Sequence, residues 1–296
     1  MVCENPPMVS VLTRDEWLAK AANHYATATA ITNAVRERKQ AGVRHPIEDF
    51  LWEYYSNKPA QFEKWHPGFA VALEDAPEYA DIKGYTTHEG LTQVSVDFTR
   101  ERATALEWMV ELLNGSLARP ARFQCFGLHE WAMVYRLSQE EVRHEQAPLR
   151  LSPTEIAAVV EAQQLKCTHY DAFRFYVPEA RSLNHMVLER TDQINMEQAG
   201  CLHANMDLYK WCYKARPIID SDLTLRCFNL AKEIRLLDMR AAPYELSAWG
   251  LTPVPIETTD GRAEYARQQR DFSERSNVLR VELRDKLVAA LSTLEN

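Results

Sequence analysis

The stretch from Arg262 to Leu294 constrains this chain most. Its apolar residues Tyr265, Phe272, Val278, Leu279, Leu283, Leu287 and Leu291 recur at intervals that predict one long helix. Exposing so much apolar surface would cost several kcal/mol at roughly 25 cal/mol per Å². The helix must therefore lie against the body of a domain built to receive it.

Other segments read the same way. Thr13-Arg14-Asp15-Glu16 has the form of a capping box and opens a helix towards Gln40, before Gly42. Pro46 sits where a missing N–H costs nothing, ahead of the stripe Ile47, Phe50, Leu51 and Tyr54. Further helices are expected over Arg100 to Leu113, with Asn114-Gly115 as a left-handed stop, and over Gln124 to Leu137. Ser152-Pro153-Thr154-Glu155 joins an N-cap to a proline at the first helical position. Cys201 to Lys214 and Asp222 to Arg240 complete the set, while the aromatic run Cys167 to Tyr176 fits strand or helix. Between residues 66 and 98, Pro67-Gly68, Gly84 and Gly90 precede the alternating Thr92 to Phe98. The fold class that follows is mainly α: one multi-helix domain over residues 1–296, with at most a small β element around residues 66–98.

A net charge of −8 makes the surface as a whole repel polyanions, so contact with nucleic acid would need a local basic patch. Met1 to Leu12 holds Pro6 and Pro7 but no apolar run behind a basic stretch, and no segment reaches the roughly 20 apolar residues of a membrane span. A cytoplasmic protein without membrane contact is expected. The six cysteines, Cys3, Cys125, Cys167, Cys201, Cys212 and Cys227, form no CxxC pair and are expected as free thiols.

No phosphate-binding glycine loop and no GxSxG elbow is present, and His129-Glu130 starts an HExxH motif only to meet Met133 where the second histidine belongs. Histidines instead stand near cysteines, as Cys125 with His129, Cys167 with His169 and Cys201 with His203. Imidazole and thiolate suit zinc or iron, and a carboxylate beside an imidazole suits proton transfer. The competing reading is a set of buried cysteines beside hydrogen-bonded histidines. His203, Asp207, Lys210 and Lys214 make a polar stripe along one helix, opposite Leu208, Trp211 and Cys212. Facing water, that stripe is an ordinary solvated face; facing a cleft, it would let Asp207 orient His203 while Lys210 holds an anionic group and Tyr209 stacks. His169-Tyr170-Asp171 with Arg174 is a further candidate, because an arginine among aromatics needs a carboxylate or a ligand. His129-Glu130-Trp131 and His66-Pro67-Gly68 are two more.

The runs Phe126-Gly127-Leu128-His129-Glu130-Trp131-Ala132-Met133-Val134-Tyr135-Arg136, Cys201-Leu202-His203-Ala204-Asn205-Met206-Asp207-Leu208-Tyr209-Lys210-Trp211 and Asp238-Met239-Arg240-Ala241 resemble an actinobacterial family that carries the name 3-methyladenine DNA glycosylase. The resemblance takes in His45 to Phe50, Trp65 to Gly68, Glu257-Thr258 and Gly261-Arg262 as well, and so covers most of the chain. It implies a hydrolase of DNA repair that cleaves the N-glycosidic bond of an alkylated purine, with a carboxylate activating water and aromatics stacking on the extruded base. Glu130, Asp171 and Asp207 are the carboxylates it would use, and Trp131, Tyr170 and Tyr209 the stacking groups. The partner it implies is damaged DNA or a free nucleobase-like small molecule, with no cofactor required.

The residues themselves keep two other readings open. One is a metal- or haem-dependent enzyme of small-molecule metabolism, with zinc, iron or haem on His129, His169 and His203. The other is a non-enzymatic helical binding protein whose polar clusters are structural. Either enzymatic reading requires the three imidazoles to converge on one cleft.

Overall fold

A computed structural model describes residues 9–142 and 147–295; Cys3 and the Pro6-Pro7 pair lie outside the described residues, as does part of the charged stretch leading to Pro148. The fold is mainly α. Its helices are α1 (Arg14–Gln40), α2 (Phe50–Tyr54), α3 (Pro59–Phe62), α4 (Val96–Glu101), α5 (Ala103–Ala118), α6 (Leu128–Met133) and α7 (Pro153–Ala162). They continue with α8 (Tyr170–Phe173), α9 (Pro178–Arg181), α10 (Gln193–Met196), α11 (Leu202–Lys214), α12 (Ser221–Ala241) and α13 (Thr259–Ser292).

The long helices start where their caps predict. Thr13 and Glu16 close the capping box of α1, and Ser152 with Glu155 closes that of α7. Helix α13 buries Tyr265, Phe272, Leu279, Leu283 and Leu287 against α5, α11 and α12, while Val278 faces outward. Helix α11 lies among these partners and is buried from Leu202 through Tyr209.

Four expectations are corrected. The helix expected at Pro46 begins at Phe50, because the Asp49 carboxylate is engaged by Arg38 at 2.6 Å and by the His45 N–H at 2.9 Å. Helix α5 runs through Asn114-Gly115 to Ala118; a Cβ on Gly115 would come within 3.1 Å of the Ile194 carbonyl oxygen, so this glycine permits close packing and does not stop the helix. The helix expected over Gln124 to Leu137 shrinks to α6, since Phe126 and Gly127 take φ of 46° and 71° just before it and Arg136 takes 60° after it. The alternating run at 92–98 is strand only to Val94, after which the Ser95 hydroxyl caps α4.

The small sheet is larger than its expected span. Strands β2 (Val71–Glu74), β3 (Tyr85–His88) and β4 (Leu91–Val94) fall within residues 66–98, but β1 (Ser10–Leu12) joins from the start of the described chain. The order is β1-β2-β4-β3, with β1 parallel to β2 and the other pairs antiparallel. Glu89-Gly90 turns β3 into β4 with φ of 50° and 81°, the positive values that a two-residue hairpin needs. Beneath the sheet, Trp17, Leu73, Ala76 and Tyr79 form a small apolar cluster of their own. No helix among the described residues is long and apolar enough to cross a membrane.

Candidate metal centre

The first half of the stripe on α11 faces inward, Lys210 is half-buried and Lys214 is exposed. His203 is 7% exposed and Asp207 1% exposed, although the two lie one turn apart on a helix in the middle of the molecule. Three imidazoles meet here, but not on one cleft, since His169 does not line the cavity that His129 and His203 face: the His203 ring centroid lies 4.3 Å from that of His129 on α6 and 5.4 Å from that of His169 at the N-terminus of α8. Asp207 does not orient His203, contrary to expectation. Each imidazole group has its own carboxylates, which divides the cluster in two.

In the first group, His129, His203 and Asp238 offer donor atoms all within 4.8 Å of one another. His129 Nε2 stands 2.9 Å from Asp238 Oδ1, a buried ion-pair contact too bent for a regular hydrogen bond. Buried polar atoms are almost always paired. With His203 the two atoms make a compact set of three possible ligand atoms. The other oxygen of Asp238 is fixed by Arg235 on the same helix at 2.7 Å, and Arg235 also holds Glu130 Oε1 at 2.6 Å. Arg235 is itself 1% exposed, with its guanidinium 3.8 Å over the Phe50 ring. Burial and the neighbouring His129 hold the His203 imidazole well below its usual range. Asp238 stays below the ordinary carboxylate range despite burial, because His129 and Arg235 outweigh the desolvation.

In the second group, His169 Nε2 lies 3.3 Å from Glu197 Oε1 and 3.4 Å from Asp207 Oδ2. The Ala172 N–H donates to His169 Nδ1 at 3.3 Å, so the ring proton belongs on Nε2, facing the two carboxylates. Burial lowers the His169 pKa, but Glu197 and Asp207 override it and the net direction is up. Asp207 is further bound by Tyr55 Oη at 2.8 Å and by Lys210 Nζ at 2.8 Å, and Lys210 reaches on to Asp171 at 2.9 Å. Both groups have the residue types of a metal site. The tautomer of His169 makes the second a better holder of a proton, whereas in the first no N–H among the described residues donates to a ring nitrogen of His129 or His203.

A cavity of about 330 Å³ opens onto the first group: His129 and His203 line it, with Cys125, Cys167, Cys201 and Tyr265 around them. Burial raises all three thiols, Cys167 to about 12, so they line the wall as neutral groups. His169 lies behind this wall. The five described cysteines are free.

Several expected site residues do other work. Trp131 is fully buried and donates its indole N–H to the Ala241 carbonyl, which makes it a core anchor of α6. Tyr209 is buried against Phe62 and Phe228, and Asn57 donates to its hydroxyl at 2.9 Å, so it has no open face for a base. Arg174 pairs with Asp171 at 3.1 Å near the surface, and Tyr170 is half-buried beside it. His66 sits on the sheet side, where its backbone N–H bonds Ser221 Oγ and a Cβ on Gly68 would come within 3.1 Å of Asp220 Cβ; that motif docks the start of α12. Missing from the sequence reading were Glu197 and Arg235 altogether, and Asp238 as a site residue. The signal for Arg235 and Asp238 is a buried α12 stripe, Phe228, Ala231, Ile234, Asp238 and Ala241, interrupted by charge, whereas no such stripe marks Glu197, which follows the short α10.

Comparison with family models, with curated proteins and with solved structures finds no match.

Proposed function

We propose that the chain is a metal-dependent enzyme acting on a small molecule, with one divalent ion of the iron or zinc kind held by His129, His203 and Asp238. The observation that carries this reading is the misaligned 2.9 Å approach of His129 Nε2 and Asp238 Oδ1 beside a cavity. Two imidazoles and one carboxylate, with coordination positions left open, are the ligand set of mononuclear non-haem iron and of catalytic zinc. Such an ion, when bound, would supply Lewis acidity at the inner end of the cavity. The protein's part is to hold the ligands: Arg235 fixes the far oxygen of Asp238 and so aims the near one. A haem suits the site less well, since the His129 nitrogen it would need faces a carboxylate oxygen rather than a flat apolar slot.

Hydrolysis of an N-glycosidic bond by a carboxylate alone takes second place. Asp171 is tied to Lys210 and Arg174, and Asp207 to Lys210 and Tyr55; Glu130 is held through one oxygen by Arg235 and, although its other oxygen has no partner, it is buried and does not line the cavity.

Metal analysis of untagged protein grown with iron and zinc is the test. About one equivalent of a catalytic ion per chain is expected, lost in Asp238→Asn and kept in Asp207→Asn. Wild-type protein that emerges metal-free and takes up neither Fe(II) nor Zn(II) on titration would sink the reading.

A further inference from the structure

The charged groups at the cavity rim have one sign. Arg122 and Lys166 line it, beside a His185 imidazole that burial and the nearby Arg122 hold below its usual range, and no aspartate or glutamate does, in a chain where acidic residues number 42 of 296 and the net charge is −8. The cations are not used up by their surroundings: Lys166 Nζ bonds only the neutral amide of Gln124, at 2.8 Å, and no ion pair to Arg122 is present among the described residues. Elsewhere, arginines with carboxylates in reach pair with them, as Arg150 does with Glu257 and Arg226 with Glu282. Rim cations without a local carboxylate in a negative protein focus the field on the mouth and draw anions to it.

Below the rim the wall changes character. Leu128, Leu202 and Tyr176, together with the buried thiols of Cys125, Cys167 and Cys201, make an uncharged waist. The imidazoles of His129 and His203 follow at the inner end. A volume of about 330 Å³ is at the small end for ligand pockets.

We infer that this cavity takes a small organic monoanion with a short apolar stem, its charged head between Arg122 and Lys166 and its uncharged end toward His129 and His203. The assignment of the reacting end rests on the metal reading; the assignment of the charged end does not. Head and stem are recognised by different walls, so a neutral isostere should lose the first contact and keep the second. Arginine and lysine at the mouth supply the charge-assisted bonds that fix a carboxylate head.

The test is titration calorimetry of the full chain, as purified, with hexanoate, hexanamide and hexylamine. Hexanoate is expected to bind at least tenfold more tightly than hexanamide, with hexylamine weakest. In the double variant Arg122→Gln/Lys166→Gln the hexanoate affinity should fall at least tenfold, with hexanamide binding and metal content unchanged. Equal affinity for acid and amide, no binding of either, or indifference of hexanoate to the double variant would overturn the inference. So would loss of hexanoate binding in Asp238→Asn with retention in the double variant, which would put the carboxylate on the metal. A labelled DNA duplex that binds wild type and is released by the double variant would give the rim to nucleic acid and overturn it too. A metal-free protein that still prefers hexanoate would instead sink the metal reading and leave this one standing.

Discussion

Among the described residues imidazoles are buried in two regions, and only one of them also gathers carboxylates. On the sheet side, His66 meets the Tyr85 hydroxyl at 2.9 Å with the two rings stacked, and His24 meets the Phe62 carbonyl at 2.9 Å. Each has one neutral partner, and burial lowers both pKa values, His66 to about 3. In the centre, His129, His203 and His169 are just as buried but share the space with Asp238, Glu197 and Asp207. A plain core has no reason to gather carboxylates, because each must be compensated after leaving water. A histidine with a single neutral partner is packing; histidines set against carboxylate oxygens have the residue types of a cation site, which is the basis of the metal proposal.

The largest effect that would sharpen the contrast is at Arg235. Replacing it by leucine leaves Glu130 and Asp238 buried without their shared cation, and breaking such a pair costs about 3–5 kcal/mol. Urea denaturation should show that loss, and a change under about 1 kcal/mol would mean that the centre is wetter and less constrained than its burial indicates.

Asp207→Asn comes next. The amide keeps the size and can still accept from Tyr55, but it strips Lys210 and His169 of a charge, and a cost of about 2 kcal/mol is expected. Metal content should be unaffected. Loss of the ion in this variant would make the second group a ligand set as well and erase the division between the two halves of the cluster.

The smallest effect is on the sheet side and depends on pH. His66 is held neutral by burial, helped by the nearby cations Arg216 and Lys64, so its folded pKa lies below the unfolded value of 6.5. The unfolded chain then binds the extra proton first, and stability present above pH 6.5 is lost as the pH falls. At pH 5 that loss is about 2 kcal/mol, from 1.36 kcal/mol per unit of separation. Comparing unfolding at pH 7.5 and pH 5, His66→Gln should show a correspondingly shallower drop than wild type. Identical drops would mean that His66 is solvated or paired in a way the fold does not suggest.

Much of the helical frame was legible in the sequence because caps are local. Thr13 with Glu16 and Ser152 with Glu155 state their helix starts within four residues. The breaks were harder: nothing local distinguishes Gly115, which serves packing against Ile194, from a glycine that stops a helix. The site follows the same division. His129, His169, His203 and Asp207 could be singled out as polar residues on apolar helices, but Asp238 belongs to His129 across 109 positions of sequence, and only the packing of α6 on α12 joins them. Trp131 and Tyr209 failed as stacking groups because an aromatic residue reads alike in a core and in a pocket.

Helix α13 sets the distance between the two imidazole regions. Its 34 residues span about 51 Å at 1.5 Å per residue. Near one end, Tyr265 forms part of the cavity wall and the Gln269 amide donates to the Gly200 carbonyl just before α11. Far along it, Lys286 holds Asp220, the cap of α12 on the sheet side, at 2.6 Å. The helix thus works as a ruler with a fixed phase. One residue inserted midway would turn one half by about 100° relative to the other, so that either the cavity wall or the α12 anchor would keep its register, but not both.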